Sequence, residues 1–502
     1  MDNDVTPPLP EGSLLAAIDL GSNSFHLIVA KIDHGEMRPV EVLAEKVQLG
    51  AGLENGLLSQ AAIDRGLECL TRFAQLLESV DPERIRVVGT NALRIADNRR
   101  MFTQPARQIL RTPVEVIYGV EEARLVYLGV AHTLADDAQS RLVIDIGGGS
   151  TECIIGERFE PRQLESLQMG CVSYSRACFE GDALTQSNFQ HAYAKACVEV
   201  SHIRRNYHSD RWAECVGSSG TLKTIEAIVL LNGWSESGIT RDSLAMLEKH
   251  LLTFDTFDTI ELEGLSNNRR NVIAAGVAIT SALFDMLRIP IMRTSNGALR
   301  EGVIYDLMGR LSHEDVRERT INALMQRYAV DEDNATIVSK RARILFNVTR
   351  ATWQLSRNDW ELLDRVARAH EIGMAISHKH FHRHSAYLLR NADLPGFSVE
   401  EQEKLAVLAL AHRGKLEGSL LNDIPESEWQ TMIRLVTIIR LAALFKYVEQ
   451  LEQLPDFNID TTSDSLTLDF PDGWLEQHPL TARELGVETT LLERLGMNLS
   501  FS

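Results

Sequence analysis

The sequence predicts an α/β protein in which two similar α/β domains precede a block of helices and a small C-terminal α/β domain. Strand and helix patterns alternate up to about residue 309, and long amphipathic helices follow. The segment AIDLGSNSF at 17–25 is echoed by VIDIGGGST at 143–151, an offset of 126 residues from Asp19 to Asp145. Two such domains with facing glycine turns imply a cleft between them. The predicted domains are residues 1–132, 133–310, 311–450 and 451–502.

The first domain reads β-β-β-α-β-α-β-α. Ser59 is placed to cap the first helix, and a Gly-Ser-Asn turn separates the first two strands. Strands are expected at residues 14–20, 24–32, 40–49, 85–88 and 114–118, and helices at 62–77, at 91–109 and from Glu121.

The pattern then restarts in the second domain. The sequence GGGST follows its first strand, and a GSSG turn follows its fourth. Strands are expected at residues 142–146, 152–155, 163–168, 214–216 and 290–293, and helices at 185–205 and from Leu299.

The helical block differs in charge from the rest of the chain. The whole protein has a net charge of −19, but residues 340–415 carry 13 Lys and Arg against 8 Asp and Glu. The tail after residue 450 is strongly acidic, and its SLTLDF segment predicts a strand. Positive charge is therefore concentrated in the helical block.

Composition excludes several classes of protein. A 502-residue chain with 44% apolar residues is globular, and its acidic balance argues against an overall basic nucleic-acid binder. The N-terminus lacks the pattern of a signal peptide, and the longest apolar run, residues 272–284, is too short for a transmembrane segment. The six cysteines form no CxxC pair and are read as reduced thiols of a cytoplasmic protein.

The two glycine turns carry the clearest chemical signal. Each follows a strand that ends in a carboxylate, Asp19 or Asp145. Glycine-rich turns let backbone N–H groups approach phosphate oxygens, and the carboxylates can hold Mg²⁺. Tight hairpin turns are the alternative, which the duplication disfavours. The expected phosphate-binding residues are Gly21, Ser22, Asn23, Ser24, Gly147, Gly148, Gly149, Ser150 and Thr151.

Two further turns each connect a predicted strand to a predicted helix. The first comprises Gly217, Ser218, Ser219 and Gly220, and it predicts another anion-facing turn, with a plain βα connection as the alternative. The second lies in SNGALREG at 295–302, where the Arg300–Glu301 pair is read mainly as a brace for the helix.

Glu121 and Glu122 begin a helix after the fifth strand. Acidic residues there stabilise the helix dipole, but one of them could instead be a general base that orients a water for attack on phosphorus. Arg94 in GTNALR could neutralise developing phosphoryl charge, or it could be an ordinary helix-surface arginine.

At these residues the sequence resembles the exopolyphosphatase/guanosine-pentaphosphate phosphohydrolase family, within the superfamily of sugar kinases and actin. The resemblance spans nearly the whole chain and rests on seven motifs in its first two domains, with AHEIG and HRHSAYLLRNADLPGF further on. The seven are AIDLGSNSFHLIVA, VGTNALR, GVEEARLVYLGV, VIDIGGGSTE, MGCVS, VGSSGT and SNGALREG.

The resemblance implies two ribonuclease-H-like domains, an HD-like helical domain and a small C-terminal domain. It implies hydrolysis of terminal phosphate with Mg²⁺, optional stimulation by K⁺, and a homodimer. The family's catalytic glutamate maps to Glu122 and its arginine to Arg94, while Arg269 maps to a channel arginine. Its phosphate-binding turns map to the two glycine turns, and its metal residues to Asp19, Asp145 and Glu152.

Two branches of this family compete. GGGSTE, GERFEP and HRHSAYLL are more similar to the exopolyphosphatase branch, so inorganic polyphosphate is the expected main substrate. Guanosine pentaphosphate is the alternative, or a second substrate of the same site. The expected location is the cytoplasm, with peripheral attachment at the inner face of the membrane.

The helical domain lacks metal-binding residues of a working HD enzyme. It has His370-Glu371 in place of the His-Asp pair, and the second metal-binding aspartate is missing from IIRLAALF. Its basic cluster is read either as a solvated loop or as a channel for a long polyanion. The channel residues would be Lys379, His380, His382, Arg383, His384, Arg413 and Lys415.

Two other functions fit parts of this pattern. An ATP-dependent kinase of the same superfamily would use the same turns, but the family motifs and the lack of a sugar-binding insertion argue against it. A non-catalytic polyphosphate-binding or nucleotide-binding module is disfavoured by the intact Glu122, Asp145 and Glu152.

Overall fold

The computed structural model of the chain describes residues 10–33, 36–134, 139–311, 315–416, 418–445 and 458–502. The chain divides into two compact units, Met1–Asp315 (unit 1) and Val316–Ser502 (unit 2). The finer boundaries expected from the sequence stay predictions, and the one between residues 450 and 451 lies outside the described residues.

The first half of unit 1 is built on five strands with order β3-β2-β1-β6-β7. The first three strands are antiparallel, whereas β1, β6 and β7 are parallel, so their carboxyl ends meet at one sheet edge. Ser59 accepts a hydrogen bond from the Ala62 amide and caps the first helix, as predicted. The strands are β1 (Leu14–Leu20), β2 (Ser24–Asp33), β3 (Glu36–Lys46), β4 (Leu53–Glu54), β5 (Leu57–Leu58), β6 (Ile85–Gly89) and β7 (Val114–Val116). The helices are α1 (Gln60–Leu76), α2 (Asn91–Ile95), α3 (Arg100–Leu110) and α4 (Gly119–Ala131).

The second half of unit 1 repeats this topology, with strand order β10-β9-β8-β11-β12. The predicted duplication is therefore confirmed at the level of sheet order. The strands are β8 (Ser140–Ile146), β9 (Thr151–Glu157), β10 (Glu160–Leu167), β11 (Glu214–Gly217) and β12 (Arg293–Thr294). The helices are α5 (Cys171–Cys178), α6 (Gln186–Ser201), α7 (Arg204–Tyr207), α8 (Gly220–Leu231), α9 (Arg241–Leu251), α10 (Arg270–Leu287) and α11 (Leu299–Leu311).

Several predicted elements differ from the structure. The strand expected over 40–49 runs over Glu36–Lys46. The helix expected over 91–109 is interrupted between α2 and α3, where Asn98 exchanges side-chain hydrogen bonds with the backbone of Leu58. The helix expected over 185–205 ends at Ser201, and α7 follows after a break. The strand expected over 290–293 shortens to Arg293–Thr294, because Pro290 has no N–H to donate to a ladder.

The apolar run that begins at Val272 forms the centre of the second half. Together with the turn before it, α10 is long and apolar enough to cross a membrane by length and composition alone, over Asn267–Leu287. However, 78% of its apolar window is buried inside the protein, as in a core helix. We therefore interpret α10 as a core helix.

A buried ion network ties α4 and α11 to β6. Asp306 accepts hydrogen bonds from Arg86 Nη1 at 2.6 Å, from Arg310 Nε at 2.8 Å and from the Arg124 guanidinium. Arg124 also binds Glu121, with Nε 2.8 Å from Oε2. Burial alone would raise the pKa of Asp306, but these three arginines hold it well below its ordinary value. The network fixes the helix that carries Glu122.

Unit 2 contains eight α-helices among its described residues and a three-stranded sheet of order β13-β14-β15. The strand predicted in SLTLDF is confirmed as β14. The helices are α12 (Val316–Arg327), α13 (Glu332–Trp353), α14 (Arg357–Ala369), α15 (Phe381–Asn391), α16 (Val399–Ala411), α17 (Trp429–Leu444), α18 (Trp474–Gln477) and α19 (Pro479–Glu493). The strands are β13 (Asn458–Thr461), β14 (Ser465–Asp469) and β15 (Asn498–Phe501).

The buried His412 makes the stability of unit 2 sensitive to acid. The rings of His370 and His412 lie 4.8 Å apart, and His412 Nδ1 is 2.7 Å from the Ala409 carbonyl. Burial, and then the neighbours His370, His382 and Arg413, lowers the pKa of His412 well below its ordinary value. At pH values between the lowered pKa of His412 and about 6.5, the unfolded chain therefore binds more protons than the folded chain does. Unit 2 should lose stability as the pH falls below about 6.5.

We expect the contribution of His412 to lower the free energy of unfolding of unit 2 by up to about 1.4 kcal/mol per pH unit below about pH 6.5. Urea titrations from pH 5 to 7.5, followed by tryptophan fluorescence, measure this slope. His412→Gln should flatten the slope, and His384→Gln is the matched control that should not. Equal slopes for His412→Gln and the wild type would contradict this explanation.

Candidate active site

The two glycine turns meet at the edge where the two sheets face each other. A Cβ added to Gly148 would lie 3.0 Å from Ser22 Cβ, and one added to Gly149 would lie 2.1 Å from Asn91 Oδ1. A Cβ on Gly170 would lie 2.4 Å from the Gly148 backbone. A larger residue at Gly148 or Gly149 would therefore press against side chains of the first half. The structure therefore brings together the two turns that the sequence predicted to bind phosphate.

The strand register places an ionisable pair below each turn. Asp145 lies directly opposite Glu152 in the β8–β9 pair, and Asp19 lies opposite His26 in the β1–β2 pair. Directly paired residues project from the same face of a sheet. His26 in the first half is thus the counterpart of Glu152 in the second half.

Four carboxyl groups share this site, of which Glu122 and Glu152 are buried and Asp19 and Asp145 are half-buried. Burial, reinforced by the charge of Glu122, raises the pKa of Asp145 to about 7. Burial and the charges of Glu122 and Asp145 raise the pKa values of Asp19 and Glu152 well above their ordinary values. Such a cluster binds either protons or a cation.

Glu122 and Arg94 form a pair within this cluster. Arg94 Nη1 donates to Glu122 Oε2 at 3.1 Å and to the Ile117 carbonyl at 2.7 Å. Arg94 Nη2 is buried and has no hydrogen-bond partner among the described residues. Burial raises the pKa of Glu122, and the charge of Arg94 opposes that rise. The arginine is therefore held in place with a donor left for a substrate oxygen.

Ser166 connects Glu152 to the start of α4. Its hydroxyl donates to Glu152 Oε1 at 2.8 Å. A Cβ on Gly119, the first residue of α4, would lie 2.5 Å from the Ser166 side chain. Only glycine allows β10 and the helix that carries Glu122 to approach so closely. Ser166 lies in β10, in a segment without a recognisable motif, so this contact could not be predicted from the sequence.

The third turn is lined with positive charge. Ser218 donates to the Gly297 carbonyl at 3.0 Å, while Ser219 caps α8. A Cβ on Gly220 would lie 2.0 Å from Arg269 Nη2, so the guanidinium lies against this turn. Burial and then the charge of Arg300 lower the pKa of the half-buried Lys223. The predicted turn and the predicted Arg269 are thus neighbours.

Arg300 is held by two acceptors. Its Nη1 lies 3.2 Å from His26 Nδ1, and its Nε donates to Glu301 Oε1 at 2.8 Å. A guanidinium only donates, so His26 Nδ1 accepts and the ring proton lies on Nε2. Burial, then Arg300, Arg269 and Lys223, lowers the pKa of His26 to about 4, which keeps the ring neutral. Glu301 also accepts the Ala298 amide at 2.9 Å, so it braces the helix start.

The carboxyl cluster fits Mg²⁺ better than a metal ion that takes all of its ligands from the protein. No three His, Cys, Asp or Glu side chains converge as a complete ligand set among the described ranges. Mg²⁺ is usually held by one or two carboxylates, with waters and substrate phosphates completing its shell. Asp19 Oδ1 is buried without a hydrogen-bond partner, and it lies in the field of Glu122 and Asp145. These residues fit a magnesium ion that arrives with its substrate.

Several predicted side chains serve the fold around the turns. The Thr151 hydroxyl donates to the Met169 carbonyl at 2.5 Å, which turns it away from the glycine backbone. Ser22 and Ser150 are both buried. The Ser22 and Asn23 carbonyls accept amides from residues 47–50. The remaining members, Gly21, Ser24, Gly147 and Gly217, lie at the strand ends that border these turns.

The predicted basic cluster of unit 2 lies around the N-terminus of α15 and the C-terminus of α16. Lys379, His380, Arg383, Arg413 and Lys415 are exposed, and the guanidinium of Arg413 lies 4.8 Å from the centre of the Phe381 ring. Burial, then Arg413, Arg383 and His380, lowers the pKa of the half-buried His382 to about 4. His382 is thus neutral near pH 7 and adds no positive charge, and His384 is half-buried.

The chain is similar in sequence to known proteins over most of its length. The Ppx/GppA phosphatase family matches residues 28–311, and domain III of the Ppx/GppA phosphatases matches residues 316–489. A guanosine-5′-triphosphate,3′-diphosphate pyrophosphatase from Pseudoalteromonas translucida is 38% identical over 98% of both chains. A protein with the same name from Vibrio vulnificus is 40% identical over 97% of both.

A solved structure gives the same fold. The exopolyphosphatase from Cytophaga hutchinsonii covers 59% of this chain and 98% of its own, with a TM-score of 0.54 and 22% identity. At that identity the likeness shows the fold alone. The architecture is two actin-like α/β domains followed by a domain III, as the sequence predicted. Residues 28–311 and 316–489 match models of one family, and the relative from Pseudoalteromonas translucida aligns with 98% of this chain. The chain therefore belongs to the Ppx/GppA phosphatase family.

Proposed function

We propose that this phosphatase removes the terminal 5′-phosphate of guanosine pentaphosphate (pppGpp), with release of orthophosphate. The observation that carries the proposal is the end-to-end similarity to proteins named for this substrate, at 38–40% identity. The Ppx/GppA family supports hydrolysis of a phosphoanhydride bond, and the buried Glu122–Arg94 pair suits that chemistry. This changes the order expected from the sequence, which put polyphosphate first.

In this proposal Glu122 is the general base. The raised pKa of Glu122 makes its carboxylate a stronger base, which favours uptake of a proton from the attacking water. The water oxygen bonds to the terminal phosphorus as the bond to the bridging oxygen breaks. The free donor of Arg94 would neutralise charge on the transferring phosphoryl group. The glycine turns would orient the phosphates.

Mg²⁺ is part of the proposal and would lie among Asp145, Asp19 and Glu152, with one or two of these carboxylates as direct ligands and with waters and substrate phosphates as the others. When bound, it neutralises negative charge on the phosphate oxygens. This ion also accounts for a cluster of carboxyl groups that otherwise repel one another.

Asp145→Asn tests the metal part of the proposal. We expect the Mg²⁺ concentration for half-maximal rate to rise on the order of 10- to 100-fold, since even outer partners of a metal ligand contribute that much. Without Mg²⁺ at pH 8, the same variant should have a higher Tm. The raised pKa means that charging Asp145 costs stability as the pH rises through about 7, and asparagine mimics the protonated form.

Asp242→Asn, at an exposed position on α9, is the matched control and should change neither quantity. A wild-type Mg²⁺ dependence in Asp145→Asn would give Asp145 a structural role instead.

The direct test of the proposal is orthophosphate release from pppGpp and from long-chain polyphosphate, measured side by side with purified protein. We expect pppGpp to have the larger kcat/KM. Polyphosphate stays the second candidate, because the GGGSTE motif resembles the exopolyphosphatase branch. A larger kcat/KM for polyphosphate would reverse the order. Loss of the terminal phosphate only in the presence of an acceptor alcohol, with a phosphate ester formed in place of orthophosphate, would indicate a kinase.

A further inference from the structure

Two neighbouring cavities open beside the glycine turns of unit 1. The turn cavity, of about 410 Å³, is lined by Ser22, Gly148 and Gly149. The base cavity, of about 450 Å³, has Phe179 and Phe257 in its wall. Val172 and Arg176 line both. A ligand that places phosphates in the turn cavity can therefore extend past Arg176 into the base cavity.

The base cavity presents hydrogen-bonding side chains that have no partner among the described residues. The side-chain amides of Asn23, Gln48 and Asn271 make no hydrogen bond with a described residue, and the carboxylates of Glu180 and Asp182 make no ion pair with one. Phe179 and Phe257 supply apolar wall, with ring centroids 5.5 Å apart. An apolar wall with a few converging polar groups is typical of a site for an organic ligand.

The charges of the base cavity disfavour a second stretch of polyphosphate. Two uncompensated carboxylates at its edge repel a polyanion. The same groups suit an uncharged ring that offers N–H donors. Guanine presents a ring N–H and an amino group side by side, and a carboxylate accepts from both. Adenine lacks that pair of adjacent donors.

Arg176 stands where the two cavities join. Its Nη1 donates to the Gly50 and Leu53 carbonyls at 3.2 and 3.3 Å, which anchors the side chain to the first half of unit 1. Its other nitrogen atoms make no ion pair with a described residue. In a guanosine nucleotide the ribose joins the 5′-phosphates to the base, so a 3′-substituent would branch off at this junction. A guanidinium binds phosphate in a bidentate manner.

We infer that the base cavity is the guanosine subsite of the active site. Glu180 and Asp182 bind the donor edge of guanine, and Arg176 binds the 3′-diphosphate. The inference rests on the proposed hydrolysis of pppGpp and names the residues that select this nucleotide over polyphosphate.

The test compares three substrates on one variant. Glu180→Gln/Asp182→Asn removes both charges and keeps the side-chain shapes, and asparagine tolerates the left-handed backbone at position 182, where φ is 57°. We expect kcat/KM for pppGpp to fall roughly 10- to 100-fold, the effect of one or two charge-assisted hydrogen bonds. Inorganic tripolyphosphate should be cleaved as by the wild type. The preference for pppGpp over its adenosine analogue should shrink.

Glu236→Gln/Asp242→Asn is the matched control with the same loss of charge elsewhere in unit 1. An unchanged kcat/KM for pppGpp in Glu180→Gln/Asp182→Asn, or an equal fall for pppGpp and tripolyphosphate, would overturn the inference while the proposed function stands. A wild-type protein that cleaves tripolyphosphate but not pppGpp would overturn the proposed function, and this inference with it.

The role of Arg176 has its own comparison. Arg176→Gln should lower kcat/KM for pppGpp more than for GTP, because GTP lacks the 3′-diphosphate. An equal fall for both nucleotides would show that Arg176 does not bind that group.

Discussion

Glu122→Gln should reduce kcat by about 10²- to 10⁴-fold and leave the fold unchanged, since a general base typically contributes that much. The amide keeps the shape of the side chain and its acceptor for Arg94 Nη1, which lies 3.1 Å from Glu122 Oε2. It also removes one charge from a cluster of carboxyl groups, so its thermal stability should be equal to or above that of the wild type. Single-turnover hydrolysis of pppGpp, with a thermal melt, measures both quantities.

Glu121→Gln is the matched control, because the two neighbours serve different networks. Glu121 is buried and accepts from Arg124 at 2.8 and 2.9 Å, within the network around Asp306. We expect Glu121→Gln to lower the Tm and to retain most of the turnover at 15 °C. A loss of turnover in Glu121→Gln with normal activity in Glu122→Gln would move the general base to the other glutamate.

Asp306→Asn should lower the free energy of unfolding of unit 1 by about 3–5 kcal/mol, the usual effect of removing one partner from a buried ion network. The change leaves the guanidinium groups of Arg86 and Arg124 buried with too little negative charge around them. Because these arginines connect β6, α4 and α11, the loss should be cooperative across both halves of the unit.

Urea unfolding measures that loss, with Asp285→Asn as the comparison, because Asp285 pairs with Arg241 on the more exposed surface. Asp285→Asn should cost no more than about 1 kcal/mol. A loss below 1 kcal/mol for Asp306→Asn would mean that the network does not hold α4 in place.

Local sequence patterns predict much of the fold. β1 occurs at the predicted residues, Ser59 caps α1, and α11 begins at the predicted Leu299. The 126-residue offset correctly predicted two sheets of one topology. Interruptions were harder to predict, because the break after Ile95 depends on hydrogen bonds between Asn98 and Leu58, which are 40 residues apart.

The site was predictable where chemistry depends on one short motif. The two turns, Glu122 and Arg94 lie together, as their motifs suggested. The contacts that fix them were missed, because they join distant segments. His26 holds Arg300, 274 residues away, and Ser166 holds Glu152 across a strand pair. The motifs SNSFH and ALREG contain His26 and Arg300, but no spacing rule connects them.

Substrate preference depends on still weaker signals. The GGGSTE motif lies in a turn that would bind the phosphates of either substrate, so it says little about what lies beyond them. Glu180 and Asp182 line the base cavity from a loop that resembles no motif, and only the structure places them beside the turns.

Hydrolysis of pppGpp in ¹⁸O-labelled water tests the central claim, that water activated by Glu122 attacks the terminal phosphorus. We expect one ¹⁸O atom in each released orthophosphate, no label in the nucleotide product, and loss of both products with Glu122→Gln. Label in the nucleotide, or release of pyrophosphate, would place the attack at another phosphorus and contradict the account.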